Sequence, residues 1–303
     1  MTPPTETTIE TPADTTVSKR KLKKIRDREE RENAPNIAST VDRHVLYQNS
    51  VQDVESEIDF VDAKFTELRG REAKLLREDF CGTANTSCEW VRRRSTNRAI
   101  SLDIDTEVLA WGEQNNVASL DDGEQKRVSL IAQDVFTAQT EPVDMLLAMN
   151  FSYWLFTTRE DLCKYFKSVL GALKDDGILF LDAYGGWEAH QTCEESRECE
   201  TDDGFQFDYV WEQVAFDPIT SHMECAIHFE FEDDSQIENA FTYQWRLWSL
   251  PELRELLLEA GFRNVRFFWE DADDDTGEGN GEFAEVTHAE SDPGWICYIV
   301  AEK

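Results

Sequence analysis

Two short stretches of this chain carry the residue types that hold a nucleoside. The first is Leu75-Leu76-Arg77-Glu78-Asp79-Phe80-Cys81-Gly82-Thr83-Ala84. It reads as a short strand, a tight turn and the start of a helix. The second, Ala99-Ile100-Ser101-Leu102-Asp103-Ile104-Asp105, reads as the next strand, with an acid at its carboxyl end. A turn of this kind lets a ligand approach backbone N–H groups, and the acid accepts hydrogen bonds from ribose hydroxyls. The alternative for Asp103 is a turn residue at a strand end.

Those residues need a scaffold, and the pattern around them supplies one. Residues 74–77, 98–102, 128–132, 143–149 and 178–182 read as strands. Residues 85–94, 106–115 and 159–173 read as the helices between them, the last capped at Gly177. The 143–149 run is mostly apolar, as a buried parallel strand requires. Such alternation predicts an α/β fold, a Rossmann-like, mostly parallel sheet flanked by helices. After Tyr184 the pattern changes. Residues 205–216, 222–231 and 239–248 alternate apolar and polar side chains and read as an antiparallel meander. It is inserted before a last helix at 251–260, which stops at Gly261. Strands at 265–269 and 295–301 close the chain, with an acidic loop between them.

The domain boundaries follow. Residues 1–37 form a tail too poor in large apolar side chains to offset its ordering entropy. Residues 38–73 form a helical cover, because Tyr47, Val51, Val54, Ile58, Val61, Phe65 and Leu68 recur on one helical face from 41 to 68. Residues 74–187 and 249–303 form the sheet domain, and 188–248 the lid. The tail's basic run, 19–26, reads as a solvated, partly helical arm or a docking segment.

With a net charge of -33, the chain is a poor partner for nucleic acid or an anionic membrane. The charge suits solubility in a salty cell and says nothing of the reaction. Seven scattered cysteines without a C-x-x-C pair suggest free thiols in a cytoplasmic protein. No metal is expected: His190, Cys193 and Cys199 lack a fourth ligand, and Thr276 stands where a calcium loop beginning at Asp271 needs glycine.

In order along the chain, these residues resemble the class I S-adenosylmethionine-dependent methyltransferases. The resemblance runs from about Tyr47 to the C-terminus. Glu78–Ala84 is similar to the family's glycine-rich first motif, with Phe80 and Ala84 in the places of two of its three glycines. Asp103 matches the ribose-binding acid, and Asp134-Val135 the pair that reads the adenine edge. Met149-Asn150-Phe151-Ser152-Tyr153 is similar to the segment after strand four in the glycine- and sarcosine-type N-methyltransferases. Leu173-Lys174-Asp175-Asp176-Gly177 is similar to the family's entry into strand five. The resemblance implies S-adenosylmethionine as cofactor, held by Tyr47, Arg77, Glu78, Asp79, Phe80, Cys81, Gly82, Thr83, Ala84, Asp103, Ile104, Asp134, Val135, Asn150 and Phe151. It also implies a small-molecule methyl acceptor, an amine or amino-acid-like compound first. For Tyr47 core packing is the alternative, for Asn150 a turn, and for Arg77 a surface charge.

On the acceptor side, Tyr153, Trp154, Tyr184 and Trp187 follow strands four and five at the mouth of the site. Trp211, Tyr243, Trp245 and Arg246 lie on the inserted strands, where alternation puts Tyr243 and Trp245 on one face and Arg246 on the other. Aromatic faces attract a cationic sulfur, and Arg246 is a candidate partner for a substrate carboxylate. His190 is the candidate base, with Tyr153 and Tyr184 as further catalytic candidates. Two other readings compete: a nicotinamide-dependent oxidoreductase, disfavoured because the turn lacks G-x-G-x-x-G, and a nucleoside-binding regulator without turnover.

Overall fold

The computed structural model describes residues 36–272 and 279–303. The basic run at 19–26 and residues 273–278 lie outside them. The helices are α1 (Arg43–Ser50), α2 (Val54–Arg69), α3 (Asn85–Arg93), α4 (Thr106–Asn115), α5 (Asp122–Gln125), α6 (Arg159–Ala172) and α7 (Leu250–Ala260). The strands are β1 (Leu75–Asp79), β2 (Arg98–Asp103), β3 (Val128–Ala132), β4 (Val143–Ala148), β5 (Leu173–Gly185), β6 (Cys193–Glu200), β7 (Gln206–Phe216), β8 (His222–Glu230), β9 (Gln236–Arg246), β10 (Asn264–Ala272), β11 (Gly279–Val286) and β12 (Trp295–Glu302). Eight of them form one sheet in the order β11-β10-β12-β5-β4-β1-β2-β3, parallel from β5 to β3 and antiparallel beyond β5. β6 to β9 form a separate antiparallel meander.

β1 lies between β2 and β4, in the middle of the five parallel strands, so their carboxyl edge opens around it. Both faces of the sheet are covered. Leu75, Leu146, Leu179 and Leu181 pack in one cluster with Leu162 and Phe166 of α6 and Leu253 and Leu257 of α7. Leu76, Met145, Leu147 and Phe180 pack in another with Ile58, Val61 and Phe65 of α2 and Trp90 and Val91 of α3. Burial on two faces explains why β4 is apolar throughout except at Asp144. That carboxylate accepts from the N–H groups of Lys74 and Leu75 and pairs with Arg71 and Lys174. It thereby fixes the start of β1.

Four expectations are corrected. The single apolar stripe from 41 to 68 belongs to two helices, split where Asp53 accepts from Ser56 N–H and caps α2. The stripe continues across the break because α1 faces the lid, with Leu46 against Phe229, while α2 faces the sheet. Gly177 is not a helix cap. α6 ends at Ala172 and β5 begins at the next residue, and a Cβ on Gly177 would sit 2.9 Å from Leu173 Cβ. The meander has a further strand, β6, whose mostly polar residues hide its alternation. The acidic loop after β10 is in part strand β11, paired with β10.

Candidate active site

A cleft of about 480 Å³ lies at the carboxyl ends of β1, β2 and β4. Its floor is the turn after β1. Phe80, Gly82 and Ala84 all take left-handed backbone angles, with φ of 59°, 51° and 56°. Two non-glycine residues thus follow the path a glycine-rich turn would take, at a cost of about 1–2 kcal/mol each. Burial helps hold them there. Phe80 packs on Tyr165 and Phe156, and Ala84 is fully buried beside Cys81 and Leu109. Asp103 closes the turn from β2, accepting from Gly82 N–H at 2.8 Å and Asp105 N–H at 2.9 Å, while lining the cleft. Gly112 of α4 completes the fit, because a Cβ there would fall 2.4 Å from the Thr83 carbonyl oxygen.

The N-terminal helices roof this cleft. Gln48 donates to Thr83 Oγ1 at 2.7 Å, Asn85 to Gln52 Oε1 at 3.2 Å, and Trp111 to Asp42 Oδ2 at 2.6 Å. Arg43, His44 and Tyr47 of α1 line the roof. Burial lowers the pKa of His44, which packs against Trp111 and Phe241.

Buried carboxylates surround the far wall. Asn150 and Phe151, just after β4, are both left-handed with φ of 56°. Asp182 of β5 holds them, accepting from Asn150 N–H at 2.6 Å and Phe151 N–H at 2.9 Å. Burial pushes Asp182 up to about 7. Burial pushes Glu78 to about 7 as well, against the hydrogen bonds it accepts from Ser87. Glu57 of α2 rises to about 8 by burial, reinforced by the charges of Asp182, Glu78 and Asp53. Its Oε2 has no partner among the described residues.

A second cavity, of about 270 Å³, lies between the lid sheet and the carboxyl edge. Its walls include Tyr184, Tyr209, Trp211 and Trp295. Tyr47, Asn150, Tyr243 and Trp245 line both cavities and form the junction between them. The Tyr243 and Trp245 rings stack at 4.3 Å, and Trp211 lies 6.1 Å from Tyr243. Burial raises the pKa of Tyr47, Tyr184 and Tyr243, so these phenols stay protonated at neutral pH.

The structure brings together Tyr47, Glu78, Asp79, Phe80, Cys81, Gly82, Thr83, Asp103, Ile104 and Asn150 around the first cleft. Phe151, Tyr184, Trp211, Tyr243 and Trp245 stand around the second. Several expected site residues lie elsewhere. Arg77 is not a surface charge and does not line the cleft. It is 1 % exposed and paired with Asp79 at 2.7 Å, because the β1 pleat turns it away from Glu78 into the α6 side, where Tyr165 also holds Asp79. Ala84 supports the turn from behind. Asp134 caps its own turn by accepting from Phe136 N–H, and neither it nor the buried Val135 lines the cleft.

Tyr153 is fully buried and donates to the Asp182 carbonyl, so it braces β5 and cannot touch an acceptor. Trp154 is likewise buried, behind Tyr184. Trp187 is half exposed and His190 exposed, its Nδ1 3.0 Å from the Gly186 carbonyl; neither lines either of these two cavities. Arg246 points away from both cavities, stacked 3.8 Å over Trp248 and paired with Glu252 at 2.8 Å. Sequence reasoning missed Arg43, His44, Gln52, Glu57, Asp182, Glu188, Glu195 and Gln213. Only Asp182 carried a usable signal, an acid ending an apolar run.

No family model matches the chain. The "Putative methyltransferase YqeM" of Bacillus subtilis is 22% identical over 185 residues, 60% of this chain and 71% of its own length. Among solved structures, the S-adenosylmethionine-bound CalS10 of Micromonospora echinaspora is an amino pentose methyltransferase. It superposes with a TM-score of 0.61 at 13% identity, covering 86% of this chain and 95% of its own. The sugar N-methyltransferase KedS8 of Streptoalloteichus sp. superposes with a TM-score of 0.58 at 12% identity, covering 98% and 99%. The chain has the fold of S-adenosylmethionine-dependent methyltransferases.

Proposed function

We propose that the protein is an S-adenosylmethionine-dependent methyltransferase acting on a small-molecule amine. The observation that carries this reading is the pair of cavities meeting at Tyr47, Asn150, Tyr243 and Trp245. Transfer between two ligands needs two adjoining sites with a shared wall, and a nicotinamide reading accounts less well for the glycine-poor turn. The first cleft fits the donor by its own groups: left-handed turn backbone at Gly82, the Asp103 carboxylate for ribose hydroxyls, and aromatic rings at the junction. When bound, the sulfonium supplies a methyl group that is already activated.

What the chain must then provide is alignment and a dry junction. The aromatic faces of Tyr47, Tyr243 and Trp245 suit a cationic centre. The protonated lining tyrosines are poor bases, so the acceptor amine would have to enter uncharged, its lone pair free, and the methylated ammonium would release its proton to water after leaving the junction. An amine is favoured over an amino acid because Glu188 and Glu195 line the second cavity and no Lys, Arg or His does, among the described residues. The eight-stranded sheet serves as the donor domain and β6 to β9 as the acceptor lid. Calorimetric titration with S-adenosylhomocysteine, S-adenosylmethionine and NADH tests the donor. Binding of the first two alone is expected, and binding of NADH alone would overturn the reading. Mass spectrometry of an amine panel incubated with S-adenosylmethionine then tests turnover.

A further inference from the structure

The second cavity has a polar end remote from the junction. Gln213 of β7 lines it and is only 5% exposed. Its Nε2 donates to the Glu188 carbonyl at 3.2 Å and to Cys193 Sγ at 2.6 Å. A carbonyl can only accept, so this contact fixes which end of the amide carries the protons. Oε1 is left buried without a partner among the described residues. An unsatisfied buried acceptor is costly and is relieved by a donor from a ligand.

Two carboxylates stand on the same lining, Glu188 and Glu195, and neither has an ion-pair partner among the described residues. Register places these groups. Gln213 pairs with Cys225 and Cys225 with Tyr243, so Gln213 lies two strands from the junction. Glu195 pairs with Trp211, Trp211 with Ile227 and Ile227 with Phe241, three strands from β9. Strand spacing puts these groups about 10 Å and about 14 Å from the β9 side of the cavity.

We propose that this end is a subsite for a second ammonium group, so that the acceptor is a diamine. One nitrogen sits at the junction. The apolar body lies against Tyr184 and Trp211, and the far ammonium donates to Gln213 Oε1 between Glu188 and Glu195. The identity of the nitrogen that is methylated rests on the proposed function; the subsite does not.

The test is calorimetry with diaminobutane, diaminohexane and diaminooctane against the monoamines of equal length, with and without S-adenosylhomocysteine. Diaminooctane spans the cavity and is expected to bind at least about tenfold tighter than octylamine, and tighter than diaminobutane. Glu195→Gln, on an exposed strand, and Gln213→Leu should each erase most of that preference by weakening diaminooctane. Glu224→Gln, on the exposed outer face of β8, controls for bulk charge and should change nothing. Equal binding of diaminooctane and octylamine, no binding of either, or equal effects of Glu195→Gln and Glu224→Gln would each overturn the subsite. A diamine preference in a protein that binds no S-adenosylhomocysteine would leave the subsite standing and remove the methyl-transfer reading.

Discussion

The two cavities are built by different means. The first is made by backbone: a left-handed turn after β1, an acid at the end of β2 and a second left-handed turn after β4, held by main-chain N–H groups that donate to Asp103 and Asp182. The second is made by side chains, Tyr209, Trp211, Tyr243 and Trp245 among them, brought together by the lid sheet. A ligand common to many enzymes can be held by main-chain geometry, which tolerates changes in residue type. A ligand particular to one enzyme needs side chains, which can be exchanged without altering the fold.

Asp103→Ala should break the first region most severely. The variant loses a charged acceptor for ribose and the clamp on Gly82 N–H. Affinity for S-adenosylhomocysteine should fall by about 1.5–3 kcal/mol, read by calorimetry, with diamine affinity unchanged. Unchanged donor affinity would remove Asp103 from the site. Gly112→Ala attacks the same turn from behind. Its methyl group would strike the Thr83 carbonyl, so a stability loss of about 1–3 kcal/mol is expected in urea denaturation, together with weaker donor binding. Trp211→Ala is the counterpart in the second region. Acceptor binding should weaken by about 1–2 kcal/mol while donor affinity stays as it was. Coupled losses would show that the two regions are not separable.

Titration sharpens the boundary between them. Glu57 has an ordinary carboxyl pKa of 4.5 and rises to about 8 when folded. Between those values the folded protein holds a proton that the unfolded chain has lost. The stability it contributes is therefore full below about pH 4.5 and disappears as pH rises through about 8. Glu57→Gln removes this dependence, so the variant should gain roughly 3–4 kcal/mol on the parent between about pH 5 and about pH 8. Denaturant midpoints at the two pH values measure it. Asp182 and Glu78, raised to about 7, act with the same sign in both proteins.

The contrast also explains what could be read in the sequence. Strands β1, β2 and β4 announce themselves by apolar runs, and the residues of the first cleft sit directly at their ends, so Gly82, Asp103 and Asn150 were legible. The second cavity was legible only where alternation survived, at Trp211, Tyr243 and Trp245. Glu195 and Gln213 were hidden, because a polar residue on an inner face looks like a register error until its partner strands are known. Glu57 was hidden because it is the one polar residue on the buried face of α2, beside Ile58, Val61 and Phe65. His190 and Arg246 misled for the opposite reason: residue type suggested chemistry, while the local chain turned one toward Gly186 and the other toward Glu252 and Trp248.

The smallest effect tests whether the glycine-poor turn already follows a glycine path. Ala84 holds φ of 56° while its methyl group is fully buried. Replacing it with glycine relieves about 1–2 kcal/mol of left-handed strain. The same change forfeits about 0.8 kcal/mol of buried methyl and frees the unfolded chain by about 0.4–1 kcal/mol. The terms nearly cancel, so Ala84→Gly should move stability by less than about 1 kcal/mol in either direction. Donor affinity should not move, because the backbone amides are already where a glycine would put them. An increase in S-adenosylhomocysteine affinity of about tenfold in this variant would mean that the methyl group holds the turn away from its ligand. The first cavity would then depend on side chains as the second does.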